Sequence, residues 1–124
     1  MPVRVASAVT AAAVAGVATV SRIRYRRAVA IIDAHVRAHP EHWVERPAVD
    51  GEFRYVALGD SAAQGVGSHD PSEGYVGRIA TRLEGRLGRG VHIANLSVSG
   101  AHIADVVRDQ LPQLAQRHAD LGLE

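Results

Sequence analysis

The stretch RYVALGDSAAQGVG, Arg54–Gly67, runs from an apolar, β-branched segment into Gly59-Asp60-Ser61 and then into small residues and glycine. Phe53 to Leu58 has the composition of a short strand, and the tripeptide ends it. The strand stops there either to turn the chain, with Asp60 and Ser61 capping a helical turn, or to expose a serine hydroxyl. On the tripeptide alone, capping is the better reading.

The residues downstream supply the context. From Gly74 to Leu87, Val76, Ile79, Ala80, Leu83 and Leu87 recur at helical spacing with Arg78, Arg82, Glu84 and Arg86 between them, and Gly88 and Gly90 stop the helix. VHIANLSV, residues 91–98, reads as a second strand. A further helix begins after Ala101, carrying Ile103, Val106, Val107, Leu111 and Leu114, with a kink or break expected at Pro112. The order β-α-β-α predicts a parallel pair joined by a right-handed crossover. Ligands meet such a sheet at the carboxyl ends of its strands. Two small-residue turns fall there, Gly59-Asp60-Ser61 and Ser97-Val98-Ser99-Gly100. A serine in the first can present its hydroxyl beside backbone N–H groups that would stabilise an oxyanion. Gly100 in the second lets an acyl group approach bare backbone. Neither a P-loop nor G-x-G-x-x-G follows either strand, and the G-x-S-x-G elbow is absent.

Taken together, YVALGDSAAQGVG (residues 55–67) and IANLSVSG (residues 93–100) resemble the first and second sequence blocks of the SGNH (GDSL) hydrolases. The resemblance covers roughly residues 53–120. It implies an α/β fold, part of a flavodoxin-like three-layer α/β/α sandwich behind an N-terminal helix. It implies ester hydrolysis through an acyl-enzyme on Ser61, with no metal or cofactor. The backbone N–H groups of Ser61 and Gly100 would form part of the oxyanion hole. Gly59 and Asp60 would support the turn, and Asn95 would hold a structural place in the second block. Lipid, acyl-glycan and small acetyl esters all suit the family. Ala62 stands where the family name implies leucine.

Two parts of the family pattern have no counterpart. Asn95 is the one asparagine in the chain, so the third-block Gly-x-Asn-Asp is missing, and no Asp-x-x-His occurs. His69, His92, His102 and His118 lie in the wrong contexts for a catalytic base, although His69 and His102 follow the two turns closely. The expectation is therefore the N-terminal portion of a hydrolase, inactive by itself. The competing reading is a non-catalytic, membrane-associated remnant.

Composition sets the outer limits. The 124 residues allow one domain, and the absence of cysteine excludes disulfides, thiol nucleophiles and cysteine metal sites. All fourteen basic residues are arginine, and charge is segregated along the chain. Residues 1–40 hold six arginines and one acid, net +5, whereas residues 41–124 hold eight arginines and twelve acids, net −4. A nucleic-acid binder would be basic through its folded part, so no nucleic-acid partner is expected.

Residues 1–39 read as an apolar and basic helix ended by Pro40, residues 40–52 as a linker, and residues 53–124 as the hydrolase portion. Between Arg4 and Arg22 no residue is charged. That segment reads as a membrane-associating helix through residues 5–21, as a signal peptide with an Ala13-Val14-Ala15 cleavage site, or as a soluble helix. The first two would place the protein in a bacterial cell envelope, the third in the cytoplasm. His35, His39 and His42 lack a carboxylate or fourth ligand to complete a zinc site and read as solvated surface histidines.

Overall fold

The computed structural model describes residues 2–119, with side chains for residues 12–117. It is mixed α/β, mostly helical, with a small parallel sheet. Two compact units divide it, Met1–Asp33 and Ala34–Glu124. The elements are α1 (Pro2–His42), β1 (Phe53–Ala57), α2 (Tyr75–Leu87), β2 (Val91–Asn95), α3 (Ile103–Asp105) and α4 (Leu111–Ala119).

β1 and β2 pair in parallel, with Phe53 opposite Val91 and Ala57 opposite Asn95. This register brings the turns that follow the two strands to the same end of the pair. The ladder runs on beyond both strands: Leu96 N–H donates to the Ala57 carbonyl at 2.8 Å and Val98 N–H to that of Gly59 at 3.2 Å. The buried core is small. Among the described residues Ala57, Ala63 and Val76 form one cluster of it, against which Trp43, Tyr55 and Ile93 pack, and Ala80, Val91 and Ala94 are buried as well.

Local chemistry explains the helix ends. The Asp70 carboxylate accepts from Ser72 N–H at 2.8 Å and opens a 3₁₀ turn, Pro71–Glu73, ahead of α2. Gly88, at φ +63°, closes α2 by donating to the Glu84 carbonyl. Val76, Gly77 and Ala80 are the buried residues of α2.

Pro40 departs from the sequence expectation, and Pro112 is met by an irregular turn instead of a full break. Pro40 lies inside α1, which continues to His42 before Trp43 N–H bonds back to the Pro40 carbonyl at 3.2 Å. Proline withdraws one donor near the end of the helix, and a tightened last turn absorbs the loss. Pro112 does not break its helix. A π turn, Val106–Gln110, joins α3 to α4, and Leu111 N–H reaches back to the Val106 carbonyl, five residues away. The wider turn immediately before Pro112 relieves the register that a proline ring would otherwise clash with.

The segment expected as a linker is pinned at several points. Arg117 grips Glu45 with both guanidinium nitrogens, at 2.7 and 2.6 Å. The ring of His92, itself buried, bonds the Arg46 carbonyl at 2.8 Å. Arg46 pairs with Glu52, which also accepts from Val49 N–H. The Arg46 guanidinium, followed by the Val49 N–H, holds the Glu52 carboxyl down to about 2, from an ordinary value of 4.5. A depressed carboxylate adds stability above its unfolded pKa and loses it as pH falls through the folded one. The 46–52 turn should therefore loosen between about pH 4.5 and 2. An NMR titration of the Glu52 carboxyl should show a midpoint near 2, and Arg46→Met should move that midpoint up toward the ordinary range.

Among the described residues no helix is long and apolar enough to cross a membrane. His39 corrects the reading of surface histidines. It is 4% exposed and stacks on His35 with ring centroids 4.5 Å apart, and its Nδ1 has no hydrogen-bond partner. His35 Nδ1 in turn accepts from Gly67 N–H at 3.3 Å. The helical i, i+4 spacing of the two histidines stacks their rings.

Candidate active site

Gly59 leaves β1 at φ +136°, a conformation that L side chains rarely adopt. A Cβ there would meet the Ala63 side chain at 3.4 Å and the Tyr75 hydroxyl at 3.8 Å. Both backbone groups of Gly59 are held by one side chain. Gly59 N–H donates to Gln110 Oε1, and Gln110 Nε2 donates to the Gly59 carbonyl, each at 2.8 Å. Gln110 is 1% exposed and comes from the π turn, which aims it at the end of β1. Gln110→Met should cost about 2 kcal/mol, because it orphans the Gly59 N–H. Urea denaturation followed by circular dichroism would read the loss.

After Gly59 the chain makes a single helical turn. Asp60 Oδ1 accepts from Ala62 N–H at 3.0 Å, and the Asp60 carbonyl accepts from Ala63 and Gln64 at 3.1 and 3.2 Å. Asp60 is thus the cap that the bland reading of the tripeptide anticipated. The turn ends in paired bonds, Val66 N–H to the Ser61 carbonyl and Gly65 N–H to the Ala62 carbonyl, with Gly65 at φ +76°. That is the Schellman arrangement, which requires the left-handed residue glycine supplies.

Ser61 is the first residue inside this turn and is half-buried. Among the described residues its hydroxyl has no hydrogen-bond partner, and its backbone N–H has none either. So Asp60 does the capping, and Ser61 Oγ is left unused by the fold.

The second turn is stitched to the first. Asn95 Nδ2 donates to the Ala63 carbonyl at 2.8 Å, while Asn95 Oδ1 accepts from Ser97 N–H at 3.1 Å. Gln64 Nε2 donates to the Ser97 hydroxyl at 2.9 Å and to the Ser97 carbonyl. Ala101 N–H closes onto the Val98 carbonyl at 3.0 Å with Gly100 at φ +85°, as a type II turn demands at its third residue. The N–H of Gly100 is unengaged among the described residues. A cavity of about 240 Å³ opens beside Gly100, lined also by Val98, Ser99, Asp105, Asp109 and Gln110, but not by Ser61.

No histidine reaches the serine among the described residues. His69 and His102 are exposed, and His102 N–H begins α3 by donating to Asp105 Oδ2 at 2.8 Å. His92 is committed to the Arg46 carbonyl, and the side chain of His118 lies outside the described residues. Tyr75 has its hydroxyl close to Gly59. Burial first, and the charge of Asp60 second, push its phenol above the usual range.

Gln64, Gln110, Trp43 and Tyr75 all shape the turn, and sequence reasoning singled out none of them. Trp43 Nε1 donates to the Gln64 carbonyl at 3.1 Å. Gln110 alone left a signal. It falls on the stripe of Val106, Val107, Leu111 and Leu114, where a polar residue needs an internal partner. No family model, curated protein or solved structure matches the chain.

Proposed function

We propose that this chain carries the nucleophile and two oxyanion donors of a serine ester hydrolase of the SGNH (GDSL) type. One observation carries the reading. At the carboxyl end of β1, capping is done by Asp60 and pinning by Gln110, which leaves Ser61 Oγ with no structural task beside the turn that holds Gly100. The matching finer architecture is part of a flavodoxin-like three-layer sandwich, of which β1 and β2 would be neighbouring strands.

In this mechanism Ser61 Oγ attacks the ester carbonyl carbon, and the hydroxyl proton passes to a base. The oxyanion that forms accepts hydrogen bonds from the N–H groups of Ser61 and Gly100. Collapse breaks the acyl–oxygen bond, the protonated alcohol leaves, and water then cleaves the acyl-serine to the acid. The substrate is an ester of the lipid, acyl-glycan or small acetyl class, and the chemistry calls for no metal or cofactor. Placement in a bacterial cell envelope goes with this reading, and a cytoplasmic protein is the alternative.

A second reading, a non-catalytic remnant, draws support from the missing base at Ser61. Exogenous imidazole distinguishes the two. With imidazole as a diffusible base, p-nitrophenyl acetate hydrolysis should rise above the Ser61→Ala protein measured in the same buffer. Equal rates for the two proteins would favour the remnant.

A further inference from the structure

Residues 12–21 of α1 are an apolar helical segment whose side chains stand open to solvent. Residues 12–30 are all exposed, including Val14 at 64%, Val17 at 69% and Val20 at 53%. No atom beyond the helix's own backbone comes within 4 Å of where a Cβ on Gly16 would lie. A helix that is apolar on every side is ordinarily buried, in a core or in lipid. Ala12 to Ser21 spans about 15 Å at 1.5 Å per residue, roughly half of a hydrocarbon core ~30 Å thick.

The apolar stretch ends at Arg22, Arg24, Arg26 and Arg27. At about 100° per residue Arg22 and Arg26 share one side of the helix and Arg24 and Arg27 another, so the four form a broad belt instead of a single stripe. Residues 1–32 contain no acid at all, while residues 41–124 are net −4. Within the belt, Tyr25 is 71% exposed and Ile23 is 47% exposed. Arginine and tyrosine beside an apolar segment suit the headgroup layer of a membrane. The charge selects the lipid, because an arginine cluster near an anionic surface gains attraction from every member. A second copy fits poorly, since parallel pairing of the helices would bring the two belts into register.

We propose that residues 12–27 dock on an anionic lipid surface, with Val14, Val17 and Val20 in the acyl boundary and Arg22, Arg24, Arg26 and Arg27 against lipid phosphates. This surface is independent of Ser61, so it stands or falls apart from the hydrolase reading.

Sedimentation of the full chain with phosphatidylcholine vesicles, with and without phosphatidylglycerol, tests it. Binding should require the anionic lipid and weaken in about 0.5 M salt, where charges more than a few ångströms apart are screened. Replacing all four belt arginines by glutamine should lower vesicle affinity by roughly 600-fold, about fivefold per arginine. Val17→Asp with Val20→Asp, which leaves the belt intact, should also lower it by more than about tenfold. Equal binding to both vesicle types, binding unchanged by the valine replacements, or self-association without any vesicle binding would each overturn the proposal. Circular dichroism of each variant confirms that α1 is retained.

Discussion

Without added base, the 124-residue chain is expected to hydrolyse short p-nitrophenyl esters at least ~10⁴-fold more slowly than a serine hydrolase whose nucleophile has its base. Ser61→Ala should then change the residual rate very little. A serine hydroxyl attacks only as its proton departs, and no imidazole or carboxylate is hydrogen-bonded to Ser61 Oγ among the described residues. Losing the base in such enzymes costs on the order of 10⁴–10⁶ in turnover. Lacking a third oxyanion donor adds up to ~10²–10³, although effects within one constellation rarely multiply in full. On the proposed mechanism, two backbone donors alone would stabilise an anion that seldom forms. Steady-state hydrolysis of p-nitrophenyl acetate, corrected for buffer, checks this. Rapid turnover that disappears in Ser61→Ala would mean that one of the chain's own groups serves as base.

Gly77→Ala is expected to destabilise the fold by about 3 kcal/mol or more, at the upper end of what overpacking costs. A Cβ at Gly77 would lie 2.1 Å from the Ser72 carbonyl oxygen and 2.6 Å from the Ser72 Cα, and these are backbone atoms. Ser72 cannot retreat easily, because its N–H is held by Asp70 and it belongs to the turn that starts α2. A Cβ at the neighbouring Gly74 would also press on packed backbone, 2.9 Å from the Gly65 Cα. Gly85 provides the internal control. It lies in the same helix with nothing within 4 Å, so Gly85→Ala should stabilise by about 0.5–1 kcal/mol through helix propensity alone. Urea midpoints of the two variants should move in opposite directions. A shared direction would mean that the close approach of α2 to Ser72 is wrong.

The range of each interaction decides how much of the fold and the site was legible in the sequence. β1 and α2 were readable to within a residue, and β2 at its start but three residues too long at its end, because strand composition, helical periodicity and Gly88 are local signals. The parallel pairing came from element order. The cap at Asp60 was readable for the same reason, since its bonds to Ala62, Ala63 and Gln64 span at most four residues. The contacts that hold the turn in place were not readable. Gln110 bonds Gly59 across 51 positions, Gln64 bonds Ser97 across 33, and Trp43 bonds Gln64 across 21. No spacing rule pairs residues that far apart. Pro40 and Pro112 were read by their usual effect on a helix. A tightened last turn and a π turn absorbed them instead, and neither device leaves a local sequence mark.

Ser61 is the proposed nucleophile, and the residue found carrying an acyl group after reaction identifies it. Without a base to activate water, an acyl-serine should form slowly and persist. After prolonged incubation with p-nitrophenyl acetate and no added base, peptide mass spectrometry should find acetyl on Ser61 and not on Ser68, Ser97 or Ser99. Ser61→Ala should remove that adduct without creating another. Acetyl spread over the serines in proportion to exposure, or absent from Ser61, would contradict the assignment and leave Gly-Asp-Ser as a turn and nothing more.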